Sequence, residues 1–210
     1  METSFNPSAA GRQAYLNVVA AYAMDMAGYE HNPRTAYVSA DMPFRALRSF
    51  HGVGVNFMND QIGLFTHTKL NLQYAFQMPL FKGHLRLGAE VGFISEKFDG
   101  SQVDLGDSSD PAFSTADLTG SSIDLGAGLF YTHGQWYGGA SVHHLNSPLV
   151  SLGDNNELKI LPTYYFTGGG NISFRNPFIT LKPSLLFRTD GTGWRGDITG
   201  RLVYNNGDKM

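Results

Sequence analysis

The sequence predicts an all-β fold, and more narrowly a transmembrane up-and-down antiparallel β-barrel. Three observations support this prediction. Apolar and polar side chains alternate along many segments, short and longer connections alternate between those segments, and aromatic residues gather beside the short connections. Alternation with a period of two is typical of a strand that faces two different environments. The three patterns together are typical of a barrel that spans an outer membrane.

The clearest alternating segment covers residues 68–78. Its large apolar side chains fall on one face, and its polar or small side chains fall on the other. The apolar set is Leu70, Leu72, Tyr74, Phe76 and Met78. A tilted strand needs about 9–11 residues to cross a bilayer, and this segment has that length. We therefore expect its apolar face to meet lipid.

Alternation and turn signals together predict about ten strands in this chain. They cover residues 13–25, 34–44, 49–58, 64–80, 84–96, 122–132, 136–145, 157–173, 178–188 and 194–204. No shift in composition marks a domain boundary, so residues 1–210 are expected to form a single outer-membrane barrel domain.

The connections between the predicted strands differ in length. Those near 45–48, 81–83, 133–135, 174–177 and 205–208 are short, whereas those near 26–33, 59–63, 97–121, 146–156 and 189–193 are mostly longer. An up-and-down barrel has tight periplasmic turns and longer outer loops, which places the N-terminus on the periplasmic side. Aromatic residues beside the short turns suit a membrane interface; they are Phe44, Phe50, Phe81, Tyr131, Trp136, Phe174, Phe178 and Tyr204.

Composition excludes several classes of protein. Hydrophobic residues make up 42% of the chain and charged residues 16%, yet no apolar run approaches the ~18 residues that a membrane helix needs. Cysteine is absent, so disulfides, thiolate metal sites and thiol nucleophiles are excluded. The net charge of -3, without any basic cluster, argues against nucleic acid as a partner.

A soluble alternative remains open. Alternating strands with aromatics also build β-sandwiches and lipocalin-like barrels, in which the apolar face points inward and a ligand can bind. Strand length and the alternation of loop lengths favour the membrane barrel.

If the apolar face meets lipid, the opposite face lines a polar lumen. The candidate lumen-facing residues are Lys69, Asn71, Gln73, Gln77, Arg86, Glu90, Asp124, Lys182, Arg188, Arg195, Asp197 and Arg201. Two interpretations of this set are open: a self-paired network that plugs or stiffens the barrel, or the lining of a selective pore. Because both charge signs occur, we favour the network.

No residue pattern predicts catalysis, a metal or a cofactor. Asp104, Asp107 and Asp110 lack the alternate ligand spacing and terminal Glu of an EF-hand loop, so a solvated acidic loop is the better interpretation. His143 and His144 are adjacent, and on a continuous strand they would face opposite sides, one in the lumen and one near the headgroups. No nucleophile signature such as G-x-S-x-G occurs, so we predict that the protein is not an enzyme.

Several short motifs resemble one known family in their order and spacing. Asn6-Pro7-Ser8-Ala9-Ala10-Gly11 resembles the NPAYAG-type motif that opens mature PorP/SprF proteins, with Asn6, Pro7, Ala10 and Gly11 as its anchors. Further similar segments are 52–57, 59–63, 85–88, 98–100 and 144–148. Members of the family run to about fourteen strands, an even number of the kind that single-chain barrels need. By this comparison the chain is expected to be a fragment that lacks the C-terminal strands.

The resemblance implies a function without enzymatic chemistry. PorP/SprF proteins are outer-membrane components of the type IX secretion system of Bacteroidetes and serve protein secretion and gliding motility. The expected partners are outer-membrane lipid, periplasmic ring components and secreted cargo proteins. The resemblance also implies that residues 1–12 form a periplasmic or lumenal segment. A general diffusion pore or small-solute transporter, and a soluble ligand-binding β-barrel, are the alternatives.

Overall fold

The computed structural model describes residues 2–29, 32–100, 117–152, 156–174 and 178–204. Strands dominate these ranges, together with two short 3-10 turns, Glu2–Ser4 and Pro7–Ala9. The strands are β1 (Asn17–Met24), β2 (Arg34–Ala46), β3 (Ser49–Ile62), β4 (Phe65–Leu80), β5 (Gly83–Phe98), β6 (Leu118–His133), β7 (Trp136–His143), β8 (Leu149–Leu152), β9 (Asn156–Lys159), β10 (Thr163–Gly170), β11 (Ile172–Ser173), β12 (Ile179–Thr189) and β13 (Trp194–Tyr204). Nowhere in the described ranges is there a helix able to span a membrane.

One large antiparallel sheet follows the order of the chain. Each strand from β1 to β6 pairs with the next strand, β10 pairs with β7 and β12, and β12 also pairs with β13 and the short β11. Strands β8 and β9 form a separate hairpin. The prediction of an all-β protein is therefore confirmed at the level of a large antiparallel sheet. In the part of the chain that the structure describes, no ladder joins β1 to β13, so the sheet is not closed.

Two predicted boundaries are wrong. The connection expected at 59–63 is a tight turn at 63–64, because β3 continues to Ile62 in its ladder with β4. Within this ladder Asn59 pairs with Thr68, and its Nδ2 donates to the Oγ1 of Thr68 at 2.9 Å. The segment expected as one strand over 157–173 is divided, since its first part, β9, pairs with β8 and Pro162 separates it from β10. Proline has no N–H to donate to a ladder, which favours a break there.

The sheet curves strongly around its polar face. Side chains of β3 and β4 contact Thr3, and side chains of β7 contact Phe5. In a flat sheet β3 and β7 would lie roughly 19 Å apart, at about 4.8 Å per strand. Two residues of chain span at most about 7 Å. The strands must therefore wrap around these residues, which lie on the concave face.

The two faces of the sheet differ sharply in polarity. On β4, Leu70, Leu72 and Tyr74 are 44%, 58% and 46% exposed on the convex face, whereas Asn71 and Gln73 are each 4% exposed on the concave face. The same division continues along β5 and β6, where Leu87, Val91, Phe93, Ile123, Leu125 and Leu129 are exposed. The soluble alternative required the opposite arrangement, with apolar side chains inside.

The two-residue turn between β2 and β3 is strained by its sequence. Leu47 and Arg48 have φ values of 48° and 65°, a left-handed conformation that disfavours residues with a Cβ and suits Asn-Gly.

We expect Leu47→Asn with Arg48→Gly to raise the free energy of unfolding by about 1–2 kcal/mol, because each left-handed residue is relieved of its strain. Equilibrium denaturation of the full chain in detergent measures this change. Gln135→Gly in the turn between β6 and β7 is the matched control, since Gln135 does not have a positive φ. An equal gain from Gln135→Gly would contradict the explanation.

Candidate functional site

The candidate site is the concave face of the sheet together with the N-terminal segment, residues 2–12, which lies against it. Wall side chains donate hydrogen bonds to main-chain carbonyls of this segment. The carbonyl of Thr3 accepts from Asn56 Nδ2 at 3.0 Å and from Gln73 Nε2 at 2.8 Å. These two amides extend from β3 and β4, and all three residues are buried.

Arg86 binds two turns of the segment at once. Its Nε donates to the carbonyl of Ser8 at 2.9 Å, and its Nη2 donates to the carbonyl of Ala10. Its Nη1 donates to Gln77 Oε1 at 2.8 Å. The side chain is only 4% exposed, so its charge is satisfied by these oxygens rather than by bulk water. Arg86 thus fixes the path of the main chain between the Pro7–Ala9 turn and the start of β1.

His143 and Glu90 form a buried clasp on the carbonyl of Phe5. His143 Nε2 lies 2.9 Å from that carbonyl oxygen, and Nδ1 lies 2.6 Å from Glu90 Oε1. Ser141 Oγ donates to the same carbonyl, and Gln73 Nε2 donates to Glu90 Oε2 at 2.9 Å. The imidazole of His143 therefore links a carboxylate of the sheet to a main-chain carbonyl of the segment.

The motif residues Asn6, Pro7, Ala10 and Gly11 are all buried against the sheet. Asn6 caps the Pro7–Ala9 turn, because its Oδ1 accepts from the backbone N–H of Ser8 at 3.0 Å. Its Nδ2 donates across to the carbonyl of Leu129 in β6 at 3.1 Å. One side chain therefore both closes the turn and attaches it to the wall.

Gly11 directs the chain from the segment into β1. It has a φ of 64°, and its N–H donates to Asp41 Oδ2 at 2.9 Å. A Cβ at this position would lie 2.6 Å from Gly52 Cα and from the carbonyl oxygen of Met42. Only glycine allows this conformation and this closeness to the sheet.

Glycines on the inner face make room for the segment. A Cβ at Gly52 would overlap the carbonyl of Ala10, one at Gly88 would overlap the backbone of Ser8, and one at Gly128 would overlap Asn6 Oδ1. These glycines therefore allow the segment to lie close to the backbone of strands β3, β5 and β6.

A second buried ionic cluster lies beside the clasp. Asp124 is 1% exposed and is bound by Lys69 Nζ at 3.0 Å and by His144 Nδ1 at 3.0 Å. The expectation that His143 and His144 point to opposite sides is wrong. Strand β7 ends at His143, and His144 has a φ of 57°, so both rings contact inner-face carboxylates.

The predicted polar residues divide into two groups. Lys69, Gln73, Gln77, Arg86, Glu90 and Asp124 contact one another or the N-terminal segment as described above. Asn71 is buried beside Gly92, and its Oδ1 has no hydrogen-bond partner among the described residues. The residues on β12 and β13, namely Lys182, Arg188, Arg195, Asp197 and Arg201, lie outside this network.

Two cavities contain most of the second group. Lys182 and Arg201 line one of about 730 Å³, and Arg188 and Arg195 line one of about 480 Å³. Arg195 and Asp197 pair with each other at 3.0 Å; Arg195 is exposed and Asp197 is half-buried.

The loop after β12 carries a carboxylate with a depressed pKa. Asp190 Oδ1 accepts from the backbone N–H of Gly193 at 2.7 Å and from the N–H and hydroxyl of Thr192 at 2.9 and 2.8 Å. These hydrogen bonds stabilise the charged form and lower the pKa of Asp190 to about 2. Asp190 therefore stays anionic beside the cavity that Arg188 lines.

The part of the chain that the structure describes offers no group of three or more metal-ligating side chains. Asp104, Asp107 and Asp110 lie outside the described residues. Sequence reasoning missed Asn56, Ser141 and Asp41 as contacts of the N-terminal segment. Their alternation with apolar neighbours along β2, β3 and β7 placed them on the polar face, but nothing in a single sequence indicated what they contact.

Comparison with known proteins identifies one family. A family model described as type IX secretion system membrane protein PorP/SprF matches residues 2–209. No significant match to the chain was found among curated proteins or among solved structures. The match covers nearly the whole chain and confirms the resemblance that the sequence motifs predicted.

We expect Gly88→Val to displace the N-terminal segment, because its side chain would occupy the position of the Ser8 backbone. The chain has no cysteine, and Ala9 is a buried residue of the segment. Maleimide labelling of Ala9→Cys in the folded protein therefore measures how far the segment is displaced from the sheet. Labelling should rise, and the free energy of unfolding should fall by about 1–3 kcal/mol.

Gly200→Val on β13 is the control, since a Cβ there meets nothing within 4 Å. If Ala9→Cys remains protected from maleimide in a folded protein that also carries Gly88→Val, the glycine does not hold the segment in place.

Proposed function

Because the chain belongs to the PorP/SprF family of type IX secretion system membrane proteins, we propose that it is an outer-membrane β-barrel component of that system. In this role it anchors or couples the secretion and gliding machinery and its cargo. The observation that carries the proposal is the arrangement of polarity on the sheet, with apolar side chains outside and a polar network inside. We propose no catalytic role.

The convex face supports placement in lipid. Leucine, valine, isoleucine and phenylalanine side chains cover it without a compensating protein layer. Among the residues that the structure describes, few apolar side chains are buried: Ala9, Ala10, Ala75, Ile94, Phe130 and Val150. Contiguous exposed apolar surface of this extent is costly in water and favourable in hydrocarbon. Each strand from β2 to β6 is also long enough to cross a bilayer at a tilt.

The interior supports an anchor rather than an open pore. The N-terminal segment fills the middle of the concave face, and the surrounding charges pair with each other or with its carbonyls. A polar network whose charges are mostly paired in this way leaves few free charges to select ions. We propose that the predicted polar residues face the lumen of the barrel and that the segment occupies it.

Three two-residue turns lie at one end of the sheet, and this end suits the periplasmic side; another turn of the same length, at 63–64, lies at the opposite end. The connections at 47–48, 81–82 and 134–135 join long strands there, and aromatic residues flank them. Phe50, Phe81 and Trp136 are 49%, 92% and 59% exposed, as expected for rings at a membrane interface. We propose that these turns form a compact surface for periplasmic components of the secretion system.

The anchoring role is tested by purifying the affinity-tagged protein from envelope extracts in mild detergent. Other type IX secretion components should co-purify, and the purified protein in planar bilayers should show little ion conductance. An unrelated outer-membrane barrel with the same tag is the control. Large steady conductance without secretion components would favour the pore and contradict the proposal.

The membrane orientation is tested at Leu72. We expect Leu72→Arg to impair assembly into outer-membrane vesicles, because arginine near the bilayer centre costs about 2–4 kcal/mol on the lipid face of a barrel. Leu72→Ala is the matched control and should assemble. The measurement is the fraction that resists urea extraction. Equal assembly of both variants would place this exposed face in water.

A further inference from the structure

The larger cavity lies between the N-terminal segment and strands β12 and β13. It measures about 730 Å³ and its lining is mainly polar. Lys182 and Ser184 of β12 and Thr199 and Arg201 of β13 form one wall, and Arg12 of the segment lies on another. The cavity is within the size range of sites for small molecules.

The acidic groups of this cavity are already bound elsewhere. Glu2 pairs with Arg12 at 2.5 Å. Asp41 accepts from the N–H of Gly11 at 2.9 Å and from Asn17 Nδ2 at 3.0 Å. Among the described residues, neither carboxylate makes an ion pair with Lys182 or Arg201.

Lys182 and Arg201 stand directly opposite each other in the β12–β13 ladder. Neither has a carboxylate within ion-pair distance among the residues that the structure describes. Like charges at directly opposite positions of antiparallel strands repel each other. Ser184 and Thr199 are the next opposed pair on the same face and line the same cavity; the Ser184 side chain is hydrogen-bonded to Tyr137.

We propose that Lys182 and Arg201 form a binding site for a phosphate group, carried by a soluble molecule or by a lipid. A phosphate monoester carries about -1.5 to -2 charge near neutral pH, which matches two unpaired cations, whereas one carboxylate would neutralise only one of them. Guanidinium, ammonium and hydroxyl groups are also the donors that phosphate oxygens accept from. The cavity borders the N-terminal segment, but Lys182 and Arg201 themselves lie outside the network that holds it, and the proposal does not depend on the proposed function.

The test is isothermal titration calorimetry of the full chain in detergent with inorganic phosphate. Wild-type protein should show saturable binding, and Lys182→Gln or Arg201→Gln should each weaken it about tenfold or more. Arg195→Gln is the matched control, because it removes a cation from the same strand outside this cavity and should leave the affinity unchanged. Circular dichroism and heat-dependent gel mobility verify that each variant is folded.

Acetate and phosphatidic acid micelles are also titrated into the wild-type protein. This part of the experiment does not depend on whether any variant folds. Weak or absent acetate binding supports phosphate; acetate that binds as tightly as phosphate overturns it. Binding of inorganic phosphate assigns a soluble ligand. Binding of phosphatidic acid alone, lost on Lys182→Gln, assigns the same site to a lipid phosphate. Binding of neither, or equal binding by Lys182→Gln and wild type, overturns the proposal.

Discussion

The structure depends on one constraint, namely that the polar groups of a strongly curved sheet must be satisfied on its inner side. The convex face carries the apolar side chains, so the protein cannot build an ordinary hydrophobic core from them. Its interior is instead a layer of amides, carboxylates, imidazoles and guanidinium groups. Burying such groups without partners would be costly. The N-terminal segment supplies much of what they need, because its carbonyls accept from Asn56, Gln73, Arg86 and His143.

This recognition acts mainly on the main chain of the segment. Side chains of the sheet donate hydrogen bonds to the carbonyl oxygens of Thr3, Phe5, Ser8 and Ala10. The glycines of the inner face allow the backbone of the segment to approach closely. The side chain of Asn6 is the main exception, since it caps its own turn and bonds to β6. The polar interior therefore acts as a support for the main chain of the N-terminal segment.

Much of the fold could be predicted from periodicity alone. The alternation at 68–78 fixed which side chains of β4 share a face, and Leu72 and Asn71 lie on opposite faces as that pattern requires. The face on which a side chain lies could not be predicted where the backbone leaves the regular strand conformation. His144 follows the last residue of β7 in a left-handed conformation, so a rule for continuous strands placed it wrongly. Contacts between distant segments, such as Asp41 with Gly11, also leave no periodic trace in one sequence.

The docking of the N-terminal segment has a consequence for the order of folding. Its partners Ser141 and His143 lie 136 and 138 positions further along the chain, so these contacts close very large loops. Contacts of such long range form slowly and late. The N-terminal segment is therefore among the last parts of the fold to find its native neighbours, and during that interval the carboxylates and imidazoles of the inner face remain hydrated. Rapid formation of local hairpins followed by a slower, desolvating step is the kinetic pattern that this topology implies.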